Sequence, residues 1–195
     1  MQCFFSFVFL FIAFAYFCKP KTNVRRPKRN DNIMKKIGLL SDTHAFLNPK
    51  IFDYFAECDE VWHAGDIGSL EVVDNLVNFK PLKAVSGNID GYEIRHLFPK
   101  HNRFLCEDVD VWITHIGGYP GNYKGEVIPE IFNNSPKLFI SGHSHILKVQ
   151  YDKELNLLHI NPGAAGRYGF HEIATIVRFE IDGDKIQNLE VIEMR

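Results

Sequence analysis

The sequence predicts a mixed α/β protein in which two packed sheets carry helices on their outer faces. In the first half of the chain, short apolar runs alternate with amphipathic segments, and this order implies parallel strands joined by right-handed crossovers. The second half contains mostly short strand patterns, which favours a second sheet. Of the 195 residues 46% are apolar, enough for a real core. No internal repeat or domain linker interrupts residues 34–195, so we predict one domain there.

The predicted elements follow from the spacing of apolar residues. Short apolar runs bounded by turn residues predict buried strands, and apolar residues on one helical face predict helices. The first half gives strands at 37–40, 60–63 and 82–85, and helices at 49–56 and 70–79. The second half gives a helix at 127–132 and strands at 103–106, 109–114, 138–141, 147–151, 157–160, 173–181 and 185–192. Glycines at 117–121 predict a loop beside His115, and Asp182-Gly183-Asp184 predicts a hairpin turn between the last two strands.

Residues 1–33 form a hydrophobic and basic tail with two interpretations. The uncharged run 3–18 would reach about 24 Å as a helix, less than the ~30 Å hydrocarbon core of a bilayer. Positive charge follows the run, so an inserted tail would anchor the domain on the cytoplasmic face of a membrane. Alternatively, translation starts at Met34 and residues 1–33 are not part of the protein. Both interpretations place the domain in the cytoplasm.

The charge distribution and the cysteine content indicate which classes of function this chain can have. The first 36 residues hold eight of the 22 Lys and Arg and one of the 24 Asp and Glu. The remaining 159 residues therefore have 14 basic and 23 acidic side chains, a net charge of −9. An acidic domain argues against a general nucleic-acid binder, which neutralises phosphates with a basic face. Cys58 and Cys106 form no CxxC motif, and this favours a reducing compartment. We expect both cysteines to be buried as small apolar side chains.

Polar residues follow five predicted strands at the point where each strand ends. Ligands bind at the carboxyl ends of strands in α/β sheets, so these groups are expected to converge. Imidazole, carboxylate and amide donors suit Mn, Fe, Co, Ni or Zn, and the lack of thiolates argues against a structural zinc site. Seven donors are too many for one ion and suit two ions with a carboxylate between them. The donors are Asp42, His44, Asp66, Asn88, His115, His143 and His145.

The order Asp-x-His, Gly-Asp, Gly-Asn, His, Gly-His-x-His resembles the calcineurin-like metallophosphoesterase superfamily. The runs 37–44 and 161–163 look like its small single-domain prokaryotic phosphodiesterase branch, which is related to the metallophosphoesterase-like subunit of retromer. The resemblance covers residues 36–195. It implies a four-layer α/β/β/α sandwich of two mixed sheets with a dinuclear metal site at the loops.

The resemblance also implies a role for each donor. Asp42, His44 and His145 would hold one divalent ion, with Mn expected first and Fe, Ni, Co or Zn as alternatives. A second ion would lie on Asn88, His115 and His143, and Asp66 would bridge the two. The nucleophile would be a bridging hydroxide whose pKa the ions lower. The implied catalytic residues are thus Asp66, Asn88 and His115.

One position departs from the wider superfamily. Many members have a histidine after Gly-Asn that is proposed to protonate the leaving group, whereas this chain has Ile89 followed by Asp90. Isoleucine cannot transfer a proton, so esters with a stable leaving group are favoured. We interpret Asp90 as a turn residue or one that orients a ligand, because a solvated carboxylate is mostly ionised at pH 7. Arg167 could donate to a substrate phosphate or be a solvated loop residue.

These features predict a metal-dependent phosphoesterase, in the first instance a phosphodiesterase, acting on a small phosphate ester. The alternative is a protein-binding scaffold with the same fold and little or no turnover. A scaffold is free to lose ligands, and here all seven positions hold competent donors. The sequence leaves the natural substrate and the oligomeric state open, including a homo-oligomer.

Overall fold

The computed structural model describes residues 34–169 and 172–194. The tail 1–33, with its apolar run 3–18, lies outside the described residues. The described part of the chain contains the helices α1 (Lys50–Tyr54), α2 (Leu70–Phe79), α3 (Tyr92–Leu97) and α4 (Val127–Asn133). Its strands are β1 (Lys35–Leu40), β2 (Glu60–His63), β3 (Leu82–Ala84), β4 (His101–Cys106), β5 (Val109–Thr114), β6 (Gly118–Tyr119), β7 (Asn122–Tyr123), β8 (Leu138–Ile140), β9 (Lys148–Asp152), β10 (Leu157–Asn161), β11 (Ala174–Asp182) and β12 (Lys185–Met194).

The first sheet has the strand order β12-β11-β1-β2-β3. Strands β1, β2 and β3 are parallel, with Leu40 paired to His63 and His63 paired to Ala84. Strand β11 is antiparallel to β1, and β12 is antiparallel to β11. The three parallel strands therefore end at the same edge, and the segments that follow them start side by side.

The second sheet has the strand order β4-β5-β8-β10-β9. Its three central strands are parallel, with Ile140 of β8 paired to Ile113 and Ile160. The outer strands β4 and β9 are antiparallel to their neighbours. Both five-stranded sheets are therefore mixed, as the sequence predicts.

The main core lies between the two sheets. Leu39 and Trp62 from the first sheet share one buried cluster with Val111, Ile113 and Ile140 from the second. Because side chains alternate across a strand, every second residue of these strands faces the other sheet. Each fully buried aliphatic or aromatic side chain of this kind stabilises the fold by about 1.5–3 kcal/mol.

Helices cover the outer face of each sheet. On the first sheet, Leu40 packs in one cluster with Phe55 beyond the end of α1 and with Leu76 of α2. On the second sheet, Phe139 packs with Ile131 of α4. The layer order is helix, sheet, sheet, helix, which confirms the predicted fold class.

Three short elements were not predicted from the sequence. Helix α3 has six residues and buries only Ile94, so its periodic signal is weak. Strands β6 and β7 have two residues each and pair within the glycine-rich segment expected to be a loop. Among the described residues, no helix has the length and apolar character needed to cross a bilayer.

Candidate metal centre

The seven predicted donors come from segments that follow five strands of the two sheets. Hydrogen bonds join these segments. Within the second sheet the Gly142 N–H donates to the His115 carbonyl at 2.9 Å, and between the two sheets the His143 N–H donates to Asp42 Oδ2 at 3.1 Å. The Asp42 N–H donates to the Gly65 carbonyl at 3.0 Å. The carboxyl ends of strands from both sheets therefore meet in one place.

The backbone at the donors is conformationally strained. Positive φ is uncommon for residues other than glycine and concentrates at functional sites. Nine such residues occur in the described part of the chain, and five of them are predicted donors. Their φ angles are 54° at Asp42, 47° at His44, 55° at Asp66, 68° at His143 and 57° at His145. The fold holds these side chains in place at an energetic cost, as expected of a functional site.

The first donor group contains Asp42, His44 and His145. Asp42 is fully buried, and its Oδ1 lies 3.2 Å from His145 Nε2. His44 Nε2 lies 3.1 Å from His145 Nε2 and 4.0 Å from Asp42 Oδ1. The contact with Asp42 raises the pKa of His145 above its ordinary value. Two imidazole nitrogens and a carboxylate oxygen directed at one point suit a divalent ion.

The second donor group contains Asp66, His115 and His143, with Asn88 beside them. His115 Nδ1 donates to the Ala64 carbonyl at 2.8 Å, so Nε2 carries the lone pair when the ring is neutral. That Nε2 lies 3.0 Å from Asn88 Oδ1 and 3.2 Å from Asp66 Oδ1. The two oxygen atoms that face this nitrogen favour either a proton on Nε2 or a metal ion between the three atoms. This donor group therefore fits a metal ion.

The pKa values of the two histidines in this group move in opposite directions. Burial lowers the pKa of His115, but the contact with Asp66 and the charge of Asp42 outweigh it, and the pKa is raised overall. Burial and the positive charge of His115 lower the pKa of His143. A neutral His143 at pH 7 keeps a nitrogen lone pair available to a metal ion.

Asp66 lies between the two groups. Its Oδ1 is 3.2 Å from His115 Nε2 in one group, and its Oδ2 is 3.9 Å from His44 Nε2 in the other. The Ile89 N–H donates to Oδ1 at 3.0 Å and fixes the carboxylate. A carboxylate at this position can reach both donor groups. In addition, a Cβ on Gly87 would lie 2.0 Å from Asp66 Oδ1, so a glycine is required there.

Asp90 connects the turn that carries Asp66 to the turn that carries Asn88. It is buried, and its two oxygens accept the backbone N–H groups of Gly68 and Gly87, each at 2.7 Å. The carboxylate thereby fixes the positions of the two turns relative to each other.

His63 supports the first donor turn. The Gly65 N–H donates to its Nδ1 at 3.1 Å, so Nε2 carries the proton and donates to Thr43 Oγ1 at 3.0 Å. The Thr43 hydroxyl in turn donates to the Ile67 carbonyl at 2.9 Å. Burial lowers the pKa of His63 to about 4, so the ring is neutral at pH 7. His63 is a hydrogen-bonded structural residue that fixes the segment between Asp42 and His44.

Arg167 lies with its guanidinium 3.7 Å from the centre of the Phe46 ring. This is a cation–π contact made from the segment between β10 and β11. The contact shows what holds the arginine in place, and its role towards a substrate phosphate remains a prediction. The sequence analysis used Asn161 only as part of the family resemblance and assigned it no role; its side chain donates to the Gly142 carbonyl at 2.9 Å and to Ser144 Oγ at 3.1 Å. Asn161 thereby fixes the turn that carries His143 and His145, a long-range contact with no local signal.

Three known proteins are similar to this chain in sequence or in fold. A probable metallophosphoesterase of Methanothermobacter thermautotrophicus is 28% identical over 158 residues, covering 77% of this chain and 88% of that protein. Vacuolar protein sorting 29 of Cryptosporidium parvum superposes with a TM-score of 0.69 at 20% identity, covering 85% of this chain and 93% of the other. An archaeal phosphodiesterase gives a TM-score of 0.66 at 24% identity, covering 82% and 99%.

At these identities the two solved structures show a shared fold. The sequence itself matches the calcineurin-like phosphoesterase superfamily domain over residues 34–184, which is most of the chain. Together with the convergent Asp, Asn and His side chains, this match establishes that the chain belongs to the calcineurin-like phosphoesterase superfamily.

Proposed function

We propose that this protein is a dinuclear metal-dependent phosphodiesterase that hydrolyses a small phosphate ester. The observation that carries the proposal is the position of Asp66, which lies between two groups of donors that each suit one divalent ion. All seven expected donors are present, and the family is one of phosphoesterases.

The side chains of this protein would hold two metal ions and orient the substrate between them. When bound, a pair of divalent ions provides a water of lowered pKa as nucleophile and positive charge against the phosphoryl oxygens. Asp42, His44 and His145 would bind one ion, and Asn88, His115 and His143 the other. Hydrogen bonds from backbone N–H groups fix the carboxylates of Asp42 and Asp66, so the site is organised before the substrate arrives.

Two cavities beside the centre support a diester substrate. One, of about 260 Å³, includes His143 in its wall, and the other, of about 420 Å³, includes Asn88 and His115. Ile116 contributes to both walls. A phosphorus atom at the centre would thus have one space for each of the two ester groups of a diester.

The residue at position 89 limits the leaving group. Ile89 uses its backbone N–H to hold Asp66, and its side chain is about half exposed. An aliphatic side chain donates no proton to an ester oxygen. We therefore infer a preference for leaving groups that depart as stable anions.

The remaining parts of the proposal concern metal and location. Nitrogen and oxygen donors without thiolate suit Mn, which we place first, with Fe, Ni, Co or Zn as alternatives. The acidic domain favours a small substrate over a polynucleotide, and the absence of a CxxC motif favours the cytoplasm. A membrane contact would depend on the tail, and a homo-oligomer is compatible with the proposal.

The test is hydrolysis of bis(4-nitrophenyl) phosphate and of 4-nitrophenyl phosphate by protein stripped of metal and reloaded with Mn. We expect Mn-dependent cleavage of the diester that is lost in Asp66→Ala and His143→Ala. Asp74→Asn, an exposed position on α2, is the matched control and should retain activity. A chain that binds two metal ions and cleaves neither ester would contradict the proposal and favour the alternative, a protein-binding scaffold with little or no turnover.

A further inference from the structure

The cavity of about 420 Å³ beside Asn88 and His115 has a positively charged wall. Arg95 of α3 and Lys100 both line it, and no aspartate or glutamate of the described residues contributes to its wall. This charge contrasts with that of residues 37–195 as a whole, which carry 14 basic and 23 acidic side chains. A cavity lined by cations raises the local concentration of anions, so the wall favours an anionic group of a ligand.

Arg95 has most of its hydrogen-bond donors available for such a group. A guanidinium carries five N–H donors. Nη2 of Arg95 donates to the backbone carbonyl of Asn88 at 2.8 Å, and within the described part of the chain the guanidinium has no other hydrogen bond and no ion pair. The side chain is exposed, so the remaining donors are open to the solvent that fills the cavity. The contact with Asn88 fixes the arginine beside the candidate metal centre.

Ser86 and Lys100 add two further donors to the same wall. Ser86 is 8% exposed, and its hydroxyl has no hydrogen-bond partner among the described residues. The hydroxyl oxygen keeps accessible surface, and the cavity is the space beside it. Lys100 Nζ lies 2.7 Å from Glu126 Oε1, but the two side chains are 63% and 67% exposed. An ion pair this exposed contributes little, so the lysine can exchange Glu126 for an anion in the cavity.

The combination of donors suits a phosphate group. A guanidinium binds phosphate oxygens through two parallel N–H groups, and an ammonium binds them as a point charge. The scissile phosphate would lie on the metal ions, next to Asn88 and His115. A group in the cavity would therefore be a second phosphate of the same molecule, carried by one of its two ester groups. The acidic domain favours a small molecule over a polynucleotide as the source of this phosphate.

We propose that this cavity binds a second phosphate group of the substrate, with Arg95 as the main donor and with Lys100 and Ser86 as additional donors. The substrate class is then a small phosphodiester in which one ester group carries a terminal phosphate. Arg95 determines specificity by binding this phosphate and takes no part in the cleavage of the ester. The assignment of the substrate rests on the proposed function, whereas the binding of phosphate by Arg95 does not.

The first test is binding of inorganic phosphate to the metal-stripped full-length chain, followed by phosphorus NMR. Loss of one hydrogen bond to a charged group corresponds to about a tenfold change in Kd, so Arg95→Gln should bind phosphate about tenfold more weakly than wild type. Arg95→Lys keeps the charge and should retain part of the affinity.

The matched control for this test is Lys153→Gln, which also removes one positive charge. Lys153 is exposed, and the register of β9 and β10 places it at the end of the second sheet opposite His143. This variant should bind phosphate as wild type does. Equal Kd values for folded Arg95→Gln and Lys153→Gln would overturn the proposal.

The second test compares two 4-nitrophenyl phosphodiesters on Mn-loaded protein at constant free Mn. The second ester group is ethyl in one and 2-phosphonooxyethyl, which ends in a phosphate, in the other. Release of nitrophenolate should give a kcat/KM about tenfold higher for the phosphorylated diester in wild type and in Lys153→Gln, and Arg95→Gln should lose this preference. A structural effect of Arg95 on Asn88 would slow both diesters and leave their ratio unchanged.

The outcomes separate this inference from the proposed function. Hydrolysis of both diesters by wild type without a preference overturns the substrate assignment and leaves the proposed function intact. Phosphate binding that depends on Arg95, without hydrolysis of either diester, supports the phosphate site and counts against the proposed function.

Discussion

Substitution of Asp90 with asparagine tests whether the candidate metal centre depends on the buried carboxylate that joins its turns. The two oxygens of Asp90 accept from the Gly68 and Gly87 N–H groups at 2.7 Å, and the side chain is buried. Asparagine has nearly the same shape but only one acceptor oxygen. Its amide NH₂ would face a backbone N–H, so that one of the two donors would lose its partner.

The expected cost follows from these contacts. A hydrogen bond to a charged group contributes about 1.5–3 kcal/mol, and a buried donor without a partner costs about 1–3 kcal/mol. The surviving bond also weakens because its acceptor is neutral. We therefore expect Asp90→Asn to lower the free energy of unfolding by about 2–4 kcal/mol, which leaves a typical domain folded.

The assay is urea unfolding of the metal-free protein at pH 7, followed by Mn titration at a temperature where the variant is folded. Besides the lower stability, we expect weaker Mn binding, because the turns with Asp66 and Asn88 lose their common support. Asp74→Asn removes an exposed carboxylate of α2 and should change stability by less than about 0.5 kcal/mol. If Asp90→Asn were as stable as this control and bound Mn equally well, the reasoning would be refuted.

Three further predictions concern single positions. Gly87→Ala should lower Mn-dependent diesterase activity by about 100-fold or more, because the added Cβ would displace the Asp66 carboxylate. In the control Gly91→Ala the added Cβ meets no atom within 4 Å, so this variant should keep its activity. Equal activities of the two variants would contradict the prediction. Because burial lowers the pKa of His159 to about 4, its contribution to stability is complete above pH 6.5 and is lost as the pH falls towards 4. Wild type should therefore lose about 2 kcal/mol more than His159→Phe between pH 7 and pH 5 in urea unfolding, and parallel pH profiles would show the reasoning to be wrong. Ile89→His should raise the rate on alkyl relative to aryl diesters by at least about tenfold by supplying a proton donor, with Ile89→Asn as control; an unchanged ratio would argue against the leaving-group inference.

The arrangement of the donors could be predicted because it depends on strand order. Asp42, Asp66 and Asn88 follow three successive parallel strands, and such strands end at one edge of a sheet. His115 and His143 follow two parallel strands of the second sheet by the same rule. Apolar periodicity gave these strands nearly correct bounds, so the convergence of the donors followed without knowledge of any side-chain contact.

Other parts of the site depend on contacts between distant segments and left no local signal. The hydrogen bonds of Ser141 Oγ to the Gly118 carbonyl and to His159 Nε2 form only because the β6–β7 hairpin folds over the second sheet. The positive φ angles of His143 and His145 are likewise imposed by surrounding structure and not by residue type. The carboxylate of Asp90 was visible in the sequence, but its two backbone partners were not.

The central claim is that seven side chains form one centre for two metal ions, and anomalous diffraction from crystals of the Mn-loaded protein tests it most directly. We predict two anomalous peaks about 3.5–4 Å apart, the spacing of known two-metal sites. Asp66 should bind both ions, with Asp42, His44 and His145 on one and Asn88, His115 and His143 on the other. A single peak, or two peaks with Asp66 bound to neither, would contradict the account.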